Sequence, residues 1–459
     1  MEREVTLSEI LAAREARAQR QRALLEAHGL PVVSFCMNIA GPVKNGPAIR
    51  RAFQEGMLRL NEALRGARMA VECSEQADGP TGCEALLAVR GDAWAIKRLC
   101  VDLEDEDALG RLFDLDVLMP GGEKLDRERL NLPPRPCLIC GRAGKGCASR
   151  RVHAVEALQR RTREILAEHF ARADGDRIAS QAARALLNEV CAAPKPGLVD
   201  RIGSGSHRDM DIFTFVDSTA ALLPYLRRAV EIGQRTAALP PKETFRQLRR
   251  AGLRAERAMF DATNGVNTHK GAIFSLGTVC AAAGRLWTVE RPCAPVETLL
   301  TECARMSADA VAEDLAAIQS SGAETSGQAL YLARGLRGIR GELASGLPAV
   351  LHTGLPALRA ALSQGATLER AGAYALLHLI AQVEDTNLYA RGGVEGQRWA
   401  SERAAEQIRG GHLPTPEELA ALDRDFVGKN LSPGGCADLL AIPYFMYFYS
   451  QMDAGKCVT

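Results

Sequence analysis

Two aspartates one residue apart, Asp114 and Asp116 in Gly110-Arg-Leu-Phe-Asp-Leu-Asp-Val-Leu118, form the sharpest chemical pattern in the first third of the chain. Side chains alternate between the faces of a strand, so both carboxylates point the same way. Such a pair repels unless a cation lies between its members, and Mg²⁺ takes one or two carboxylates together with substrate phosphates. That chemistry suits nucleotidyl transfer, in which metal ions steady the attacking and leaving oxygens. An edge strand with one solvated face is the plain alternative. The nearby acids Asp102, Glu104, Asp105, Glu106 and Asp107 read as a solvated acidic loop.

Cys137-Leu-Ile-Cys140, with Cys147 and His153, has the outline of a Cys3His zinc site. The first pair has C-x₂-C spacing, while the third and fourth ligands are less regularly placed. Reduced thiols packing a turn are the alternative. Between them, Gly141-Arg-Ala-Gly-Lys-Gly146 fails to match G-x-x-x-x-G-K-[ST], which rules out a Walker loop. Arg142, Lys145, Arg150 and Arg151 still make a basic patch suited to phosphates.

Four polar clusters interrupt the apolar second part. Pro194-Lys-Pro-Gly-Leu-Val-Asp200 leads into Gly203-Ser-Gly-Ser-His-Arg-Asp-Met210, where glycines admit close backbone approach and Lys195, His207 and Arg208 complement phosphate. Thr263-Asn-Gly-Val-Asn-Thr-His-Lys-Gly271 is a polar loop carrying Asn264, Asn267, His269 and Lys270 to the start of an apolar helix. Helix N-terminal N–H groups and a lysine there act on the same anion. Glu384-Asp-Thr-Asn387 is followed by Arg391-Gly-Gly393, and Asn430-Leu-Ser-Pro-Gly-Gly-Cys-Ala-Asp438 opens a helix at Ser432 and Pro433. Any one of these could be an ordinary capped turn. Four in one helical region, together supplying Asp, Lys, His and Arg, fit a metal–polyphosphate site better. His28, His169, His352 and His378 read as packing or surface residues.

The elements that must hold these residues change character along the chain. A capping box at Thr6 and Glu9 opens a helix to about His28. Strands are expected over 31–40, 69–73, 85–89 and 111–118, with helices over 48–64, 92–100 and 156–170. From 178 onward apolar residues recur at helical spacing, over 178–191, 216–232, 244–260, 271–286, 296–318 and 371–383. The expected architecture is therefore multidomain. A mixed α/β domain occupies 1–172, a polar linker 173–177, and an all-α domain 178–459.

A net charge of +1 over 459 residues indicates neither general nucleic-acid affinity nor an acidic partner-binding tail. The charged amino terminus lacks the apolar core of a secretory signal. No apolar stretch is long enough to span a bilayer. The 13 scattered cysteines then read as reduced thiols of a cytoplasmic protein.

With these segments in view, the second half resembles the triphosphoribosyl-dephospho-CoA synthase family of the citrate lyase system. The resemblance rests on P-K-P-G-L-V-D, G-S-H-R-D-M, T-N-G-V-N-T-H-K-G, E-D-T-N, R-G-G and N-L-S-P-G-G-x-A-D-L-L-A, from about 186 to 442. The first half is similar to apo-citrate lyase phosphoribosyl-dephospho-CoA transferase, through G-R-L-F-D-L-D-V-L and C-L-I-C-G…C-x-S-R-x-V-H. The whole chain resembles the fusion of the two, transferase first.

The resemblance implies a nucleotidyltransferase-like first domain and a two-step route to a prosthetic group. ATP and 3′-dephospho-CoA give the triphosphoribosyl adduct and adenine. The phosphoribosyl-dephospho-CoA then passes to a serine of the acyl carrier (gamma) subunit of citrate lyase, with loss of pyrophosphate. In this reading Asp385 and Asp438, with Asp200 and Asp209, meet Mg²⁺ or the sugar cation, and Asp385 and Glu384 lead as general base. Lys195, Ser204, His207, Arg208, Asn264, Asn267, His269, Lys270, Asn387, Arg391 and Ser432 contact substrate. In the first domain Asp114 and Asp116 hold Mg²⁺, and Arg111, Arg142 and Arg150 meet the pyrophosphate.

Competing expectations are a first domain that only docks the carrier, an ADP-ribose-type hydrolase using water as acceptor, and a non-catalytic nucleotide-binding or zinc-dependent regulator. Dependence of adenine release on dephospho-CoA separates the synthase from the hydrolase.

Overall fold

The computed structural model describes residues 3–142, 144–323 and 325–452. Its contacts divide the chain into two compact units, Met1–Phe170 and Ala171–Thr459.

The first unit is a small antiparallel sheet with helices on both faces. Helix α1 (Leu7–His28) starts at the Thr6–Glu9 capping box and stops at Gly29, whose φ of 62° ends the helix in the left-handed region. Strand β1 (Val32–Met37) is central, and α2 (Pro47–Gly66) follows it. The hairpin β2 (Ala70–Gly79) and β3 (Gly82–Arg90) is longer than the two short strands expected. Helix α3 (Ala93–Asp105) then leads through a 3₁₀ turn at Gly110–Leu112 to β4 (Phe113–Leu118) and a short β5 (Lys124–Leu125). The sheet order is β2-β3-β1-β4-β5, with every pairing antiparallel.

Register assigns the faces. Val33, Phe35, Leu115 and Val117 share one face, closed by α2, where the Phe35 and Phe53 rings stack at 4.9 Å. Ser34, Cys36, Asp114 and Asp116 share the other. Towards β3 that second face is apolar, and Leu24 and Leu25 of α1 cover Val32, Leu86 and Ala88.

In α3, Lys97 and Glu104 lie on the buried stripe with Ile96, Cys100 and Val101. Glu104 was expected in a solvated loop; it is instead 3% exposed. β5 pairs only with Val117 and Leu118, so the outer edge of β4 is bare at Leu115. There Lys97 Nζ donates to the Leu115 carbonyl at 2.8 Å, and the Leu115 N–H donates to Glu104 Oε1 at 2.9 Å. Two buried charges thus satisfy a strand edge that no strand covers.

Helix α4 (Gly144–Ser149) is short, and α5 (Val155–Cys191) is a single helix. Residues 173–177, expected as a polar linker, are helical within it. Helix propensity permits this: the segment has one glycine and no proline, Asp176 and Arg177 are not buried, and the buried Asp174 accepts from Trp287 Nε1 at 2.8 Å.

The second unit is helix-rich, with no strand among the described residues. It comprises α6 (Ile212–Arg235), α7 (Pro241–Ala262), α8 (Lys270–Leu286), α9 (Val296–Ser321), α10 (Ser326–Arg334), α11 (Gly338–Ala344), α12 (Leu355–Ser363), α13 (Leu368–Gln382), α14 (Thr386–Gln407), α15 (Pro416–Gly428) and α16 (Gly434–Met452). Helix α8 is the central rod, buried from Leu276 to Gly284 and packed against α6, α7, α9 and α16. The polar clusters read from sequence sit in the loops and first turns around its N-terminal end. Helices α10 to α12, α14 and α15 were not expected, because their apolar residues are few or interrupted.

Gly56 in α2 leaves no room for a side chain: a Cβ there would lie 2.5 Å from Cζ of Phe35 and 3.0 Å from Cε1 of Phe113. Both rings are fully buried and held by the sheet. Gly56→Ala is therefore expected to destabilise by about 1–3 kcal/mol through overpacking. Denaturant unfolding followed by tryptophan fluorescence checks this, and an unchanged midpoint would show that α2 shifts freely.

Candidate active sites

In the first unit β4 forms one wall of a cavity of about 660 Å³. Asp114 and Asp116 both line it, alternating with the buried Phe113, Leu115 and Val117. Asp116 pairs with Lys124 at 2.7 Å. Asp114 reaches solvent, yet the surrounding wall desolvates its carboxyl and the Asp116 charge adds to this, so its pKa is raised. Arg111, Arg127, Arg135 and Arg151 also line the cavity. Arg135 is anchored by donating to the Phe113 carbonyl at 2.8 Å. Nη1 of Arg111 is buried with no hydrogen-bond partner, and its nearest acid, Asp105, is 3.7 Å away.

Arg142 and Arg150 are exposed and are not among the lining residues. The side chain of Lys145 lies outside the described residues. Cys137, Cys147 and His153 complete this wall, and with Cys140 their ligand atoms lie within 4.8 Å of one another.

In the second unit five separate segments converge on a cavity of about 190 Å³. Lys195, 1% exposed, makes an ion pair with the equally buried Glu189 of α5. Burial raises the Glu189 carboxyl, against the pull of Lys195. His269 precedes α8 and is 3% exposed. Its Nδ1 lies 2.7 Å from Ser218 Oγ, which accepts a hydrogen bond from Thr268 Oγ1 at 2.7 Å. The Ser218 hydroxyl hydrogen is thereby free to face Nδ1, which leaves Nε2–H as a donor. That nitrogen is buried and has no partner. Burial, with the Lys195 charge, lowers the His269 pKa to about 3, so the ring is neutral.

Asp438, on the second turn of α16, lines the same cavity. The residue is half-buried overall, but its carboxyl is shut in against the start of α8. A Cβ on Gly271 would come within 1.9 Å of its Oδ2. Burial, reinforced by Glu189 and Asp385, raises this carboxyl to about 8, although the Ala272 N–H opposes the shift. Asn267, Lys270, Asn387, Arg391, His207 and Ser432 line the cavity too. They tie its rim together: His207 Nε2 is 2.9 Å from Ser432 Oγ, and Arg391 donates to the Ser206 carbonyl at 2.9 Å and to Asn430 Oδ1 at 3.2 Å. Lys270 pairs with Glu256 at 3.2 Å.

The remaining residues singled out from sequence lie elsewhere. Asp385 is 1% exposed and outside the cavity lining. Its Oδ1 accepts from the N–H groups of Asn387 (2.7 Å) and Leu388 (3.3 Å), and its Oδ2 from that of Cys436 (2.7 Å). Asp200 accepts from the N–H groups of Lys195, Ile202 and Gly203 at 2.7–2.9 Å and so shapes its own loop. Glu384 is exposed and accepts from the Tyr389 hydroxyl, and Asp209 is exposed. Ser204, Arg208 and Asn264 are not among the lining residues.

Sequence reasoning passed over Glu189, Ser218, Lys97, Lys124, Arg127 and Arg135, and read Glu104 as solvated. A signal existed for some of them. Glu189 stands between Leu186 and Val190 on an apolar stripe, and Lys97 and Glu104 sit on the apolar stripe of α3. No helix of the described residues is long and apolar enough to cross a membrane.

Residues 5–169 match the family model "Apo-citrate lyase phosphoribosyl-dephospho-CoA transferase", and residues 175–456 match "ATP:dephospho-CoA triphosphoribosyl transferase". The chain is 33% identical to "Protein CitXG" of Leuconostoc mesenteroides subsp. cremoris, covering 96% of this chain and 97% of the relative. It is also 33% identical to "Protein CitXG" of Haemophilus influenzae, covering 96% of each. The 2-(5''-triphosphoribosyl)-3'-dephosphocoenzyme-A synthase of Pectobacterium atrosepticum is 41% identical over 63% of this chain and 94% of its own length. The chain therefore belongs to the transferase family of citrate lyase prosthetic-group synthesis in which these two enzyme segments are fused in this order.

Proposed function

We propose that the second unit joins ATP to 3′-dephospho-CoA and that the first unit transfers the product to a carrier protein. In the first reaction the 2′-hydroxyl of dephospho-CoA attacks C1 of the ATP ribose, and adenine leaves with the bond electrons. The triphosphate stays on the sugar. In the second, a serine hydroxyl of the acyl carrier subunit of citrate lyase attacks the α-phosphorus and pyrophosphate leaves. The observation that carries this reading is the convergence of Lys195, His269, Lys270, Arg391 and Asp438, from distant parts of the chain, on one cavity.

A departing nucleobase leaves oxocarbenium character on the ribose, which a nearby carboxylate stabilises. Asp438 is assigned that role, since of Asp200, Asp209, Asp385 and Asp438 it alone lines the cavity. Ionised, a carboxyl held so high is also a fit base for the attacking hydroxyl. The His269 Nε2–H, lacking a protein partner, is assigned to a phosphate or ribose oxygen, with Lys195, Lys270, His207 and Arg391 on the triphosphate. Asp385 is assigned a positioning role, because its carboxylate is already occupied by backbone N–H groups.

In the first unit Asp114 and Asp116 fit a divalent cation: they share a strand face, and the Asp114 carboxyl is raised by burial first and by the Asp116 charge second. Mg²⁺ held there would stabilise charge on the attacking and leaving oxygens. Mg²⁺ in the second unit would enter with the ATP triphosphate. Arg111, whose Nη1 makes no hydrogen bond, and Arg151 are assigned to the pyrophosphate. This carboxylate pair is the ground for reading the unit as nucleotidyltransferase-like. The free cysteines and the use of ATP suit a cytoplasmic setting.

Adenine release from ATP and Mg²⁺ is expected only when 3′-dephospho-CoA is present, and release without it would favour a hydrolase. Asp438→Asn should lower that release by about 100-fold or more, while carrier labelling from supplied intermediate continues. Asp114→Asn should do the reverse, and equal effects of each substitution on both activities would sink the assignment.

Asp438 also makes a stability prediction in metal-free buffer. Its folded pKa, about 8, lies above the ordinary 3.8 of an aspartate in the unfolded chain. Between these values the unfolded chain loses this proton and the folded chain keeps it, so its contribution to stability falls as pH rises. Asp438→Asn removes that contribution. The variant should therefore gain on the parent protein as pH is raised from about 4 to about 8. Denaturation midpoints at several pH values check the sign, and a difference independent of pH would show that the carboxyl titrates normally.

A further inference from the structure

We infer that Cys137, Cys140, Cys147 and His153 bind one structural zinc ion, and that this ion holds the wall of the 660 Å³ cavity in place. The geometry is that of a closed four-ligand site. All four ligand atoms lie within 4.8 Å of one another, with Cys140 Sγ 3.5 Å from Cys147 Sγ and 3.4 Å from His153 Nε2. A tetrahedral zinc with Zn–S bonds near 2.3 Å separates its sulfurs by roughly 3.8 Å, so the cluster needs little movement to close on the ion.

The local backbone is built to aim these atoms. The turn Cys137-Leu-Ile-Cys140 is closed by the Gly141 N–H donating to the Cys137 carbonyl at 3.1 Å, with Gly141 at φ 69°. The Ile139 N–H points at Cys137 Sγ from 3.5 Å. On the other side, the Val152 N–H donates to the Cys147 carbonyl at 3.0 Å and closes the turn that presents His153.

What the segment lacks is as informative. Among the described residues, none from 131 to 160 is buried. Ile139, Val152 and Val155 are 40%, 56% and 44% exposed. A segment with no apolar core needs another staple, and a metal is the usual one where no disulfide forms. Thiols that merely packed a turn would be covered by apolar neighbours; Cys140 is exposed. This same segment presents Arg151 to the cavity that holds Asp114 and Asp116. The zinc is structural: with four protein ligands it keeps no open position for substrate.

The test is metal analysis of the full-length protein purified without chelators. About one zinc per chain is expected, released when a mercurial blocks the thiols and counted with a chromogenic chelator. Cys140→Ser should lose the metal, while His153→Cys, which supplies a fourth thiolate, should retain it. Cobalt substitution should give the visible absorption of a tetrahedral thiolate complex. Zinc removal should abolish carrier labelling and leave adenine release unchanged, which separates this inference from the assignment of the two reactions. Metal-free protein that binds neither zinc nor cobalt, or a Cys140–Cys147 disulfide found by mass spectrometry, would overturn it. So would a His153→Cys variant that holds no metal.

Discussion

A single buried carboxylate, Asp385, fixes the shape of the second unit's cavity. It caps α14 through the N–H groups of Asn387 and Leu388, and its other oxygen takes the Cys436 N–H in the first turn of α16. Two helix N-termini are thereby joined to one anion, each favouring negative charge there. Asn387 and Arg391 reach the cavity from one of these helices and Asp438 from the other. A carboxylate taken out of water costs several kcal/mol unless it is paired or hydrogen-bonded. Burial does push this one above its usual pKa, with the three N–H groups opposing the shift. The loop before α6 follows the same rule, since Asp200 gathers three N–H groups and Asp423 holds that of Gly197 at 2.9 Å.

The first unit solves a related problem with opposite charges. Lys97 and Glu104 saturate both polar groups of Leu115 on the open edge of β4. This fixes the strand whose other residues carry Asp114 and Asp116. Arg127 and Arg135 lie 3.4 and 3.5 Å from Glu104, so the buried acid is balanced by cations that also face the cavity. Cavity-lining cations and the acid that orients the strand thus form one network, and removing Glu104 would disturb both.

Much of this was legible in the sequence because periodicity reports burial. The helices 244–260 and 271–286 and the strand bearing Asp114 and Asp116 have a regular apolar period. Helices α14 and α15 escaped because their exposed faces dominate, and in α14 glycines also interrupt the pattern. Gly393, inside α14, has a non-helical φ of 62° and ψ of −158°. The polar clusters were visible as clusters, since polar side chains at the ends of apolar helices need partners. Their division of labour was not visible. Asp385, Asp200 and Asp438 are the same residue type in similar glycine- and asparagine-rich settings. What distinguishes them is how many backbone N–H groups each receives, a tertiary quantity absent from local sequence.

That distinction supplies a physical criterion for the site itself. An acid with three N–H partners, as Asp385 has, is largely spent, because those dipoles oppose its charge and occupy most of its lone-pair sites. An acid with one such partner beside other acids, as Asp438 is beside Glu189, keeps unmet demand for positive charge; burial first and those acids second raise it to about 8. His269 makes the complementary case, a neutral donor shut away from water with nothing to donate to. Stability alone would select against both arrangements, and such costs are retained where a ligand meets them. The unmet groups, rather than the well-bonded ones, are therefore where the proposed polyphosphate sugar and its cation would be met.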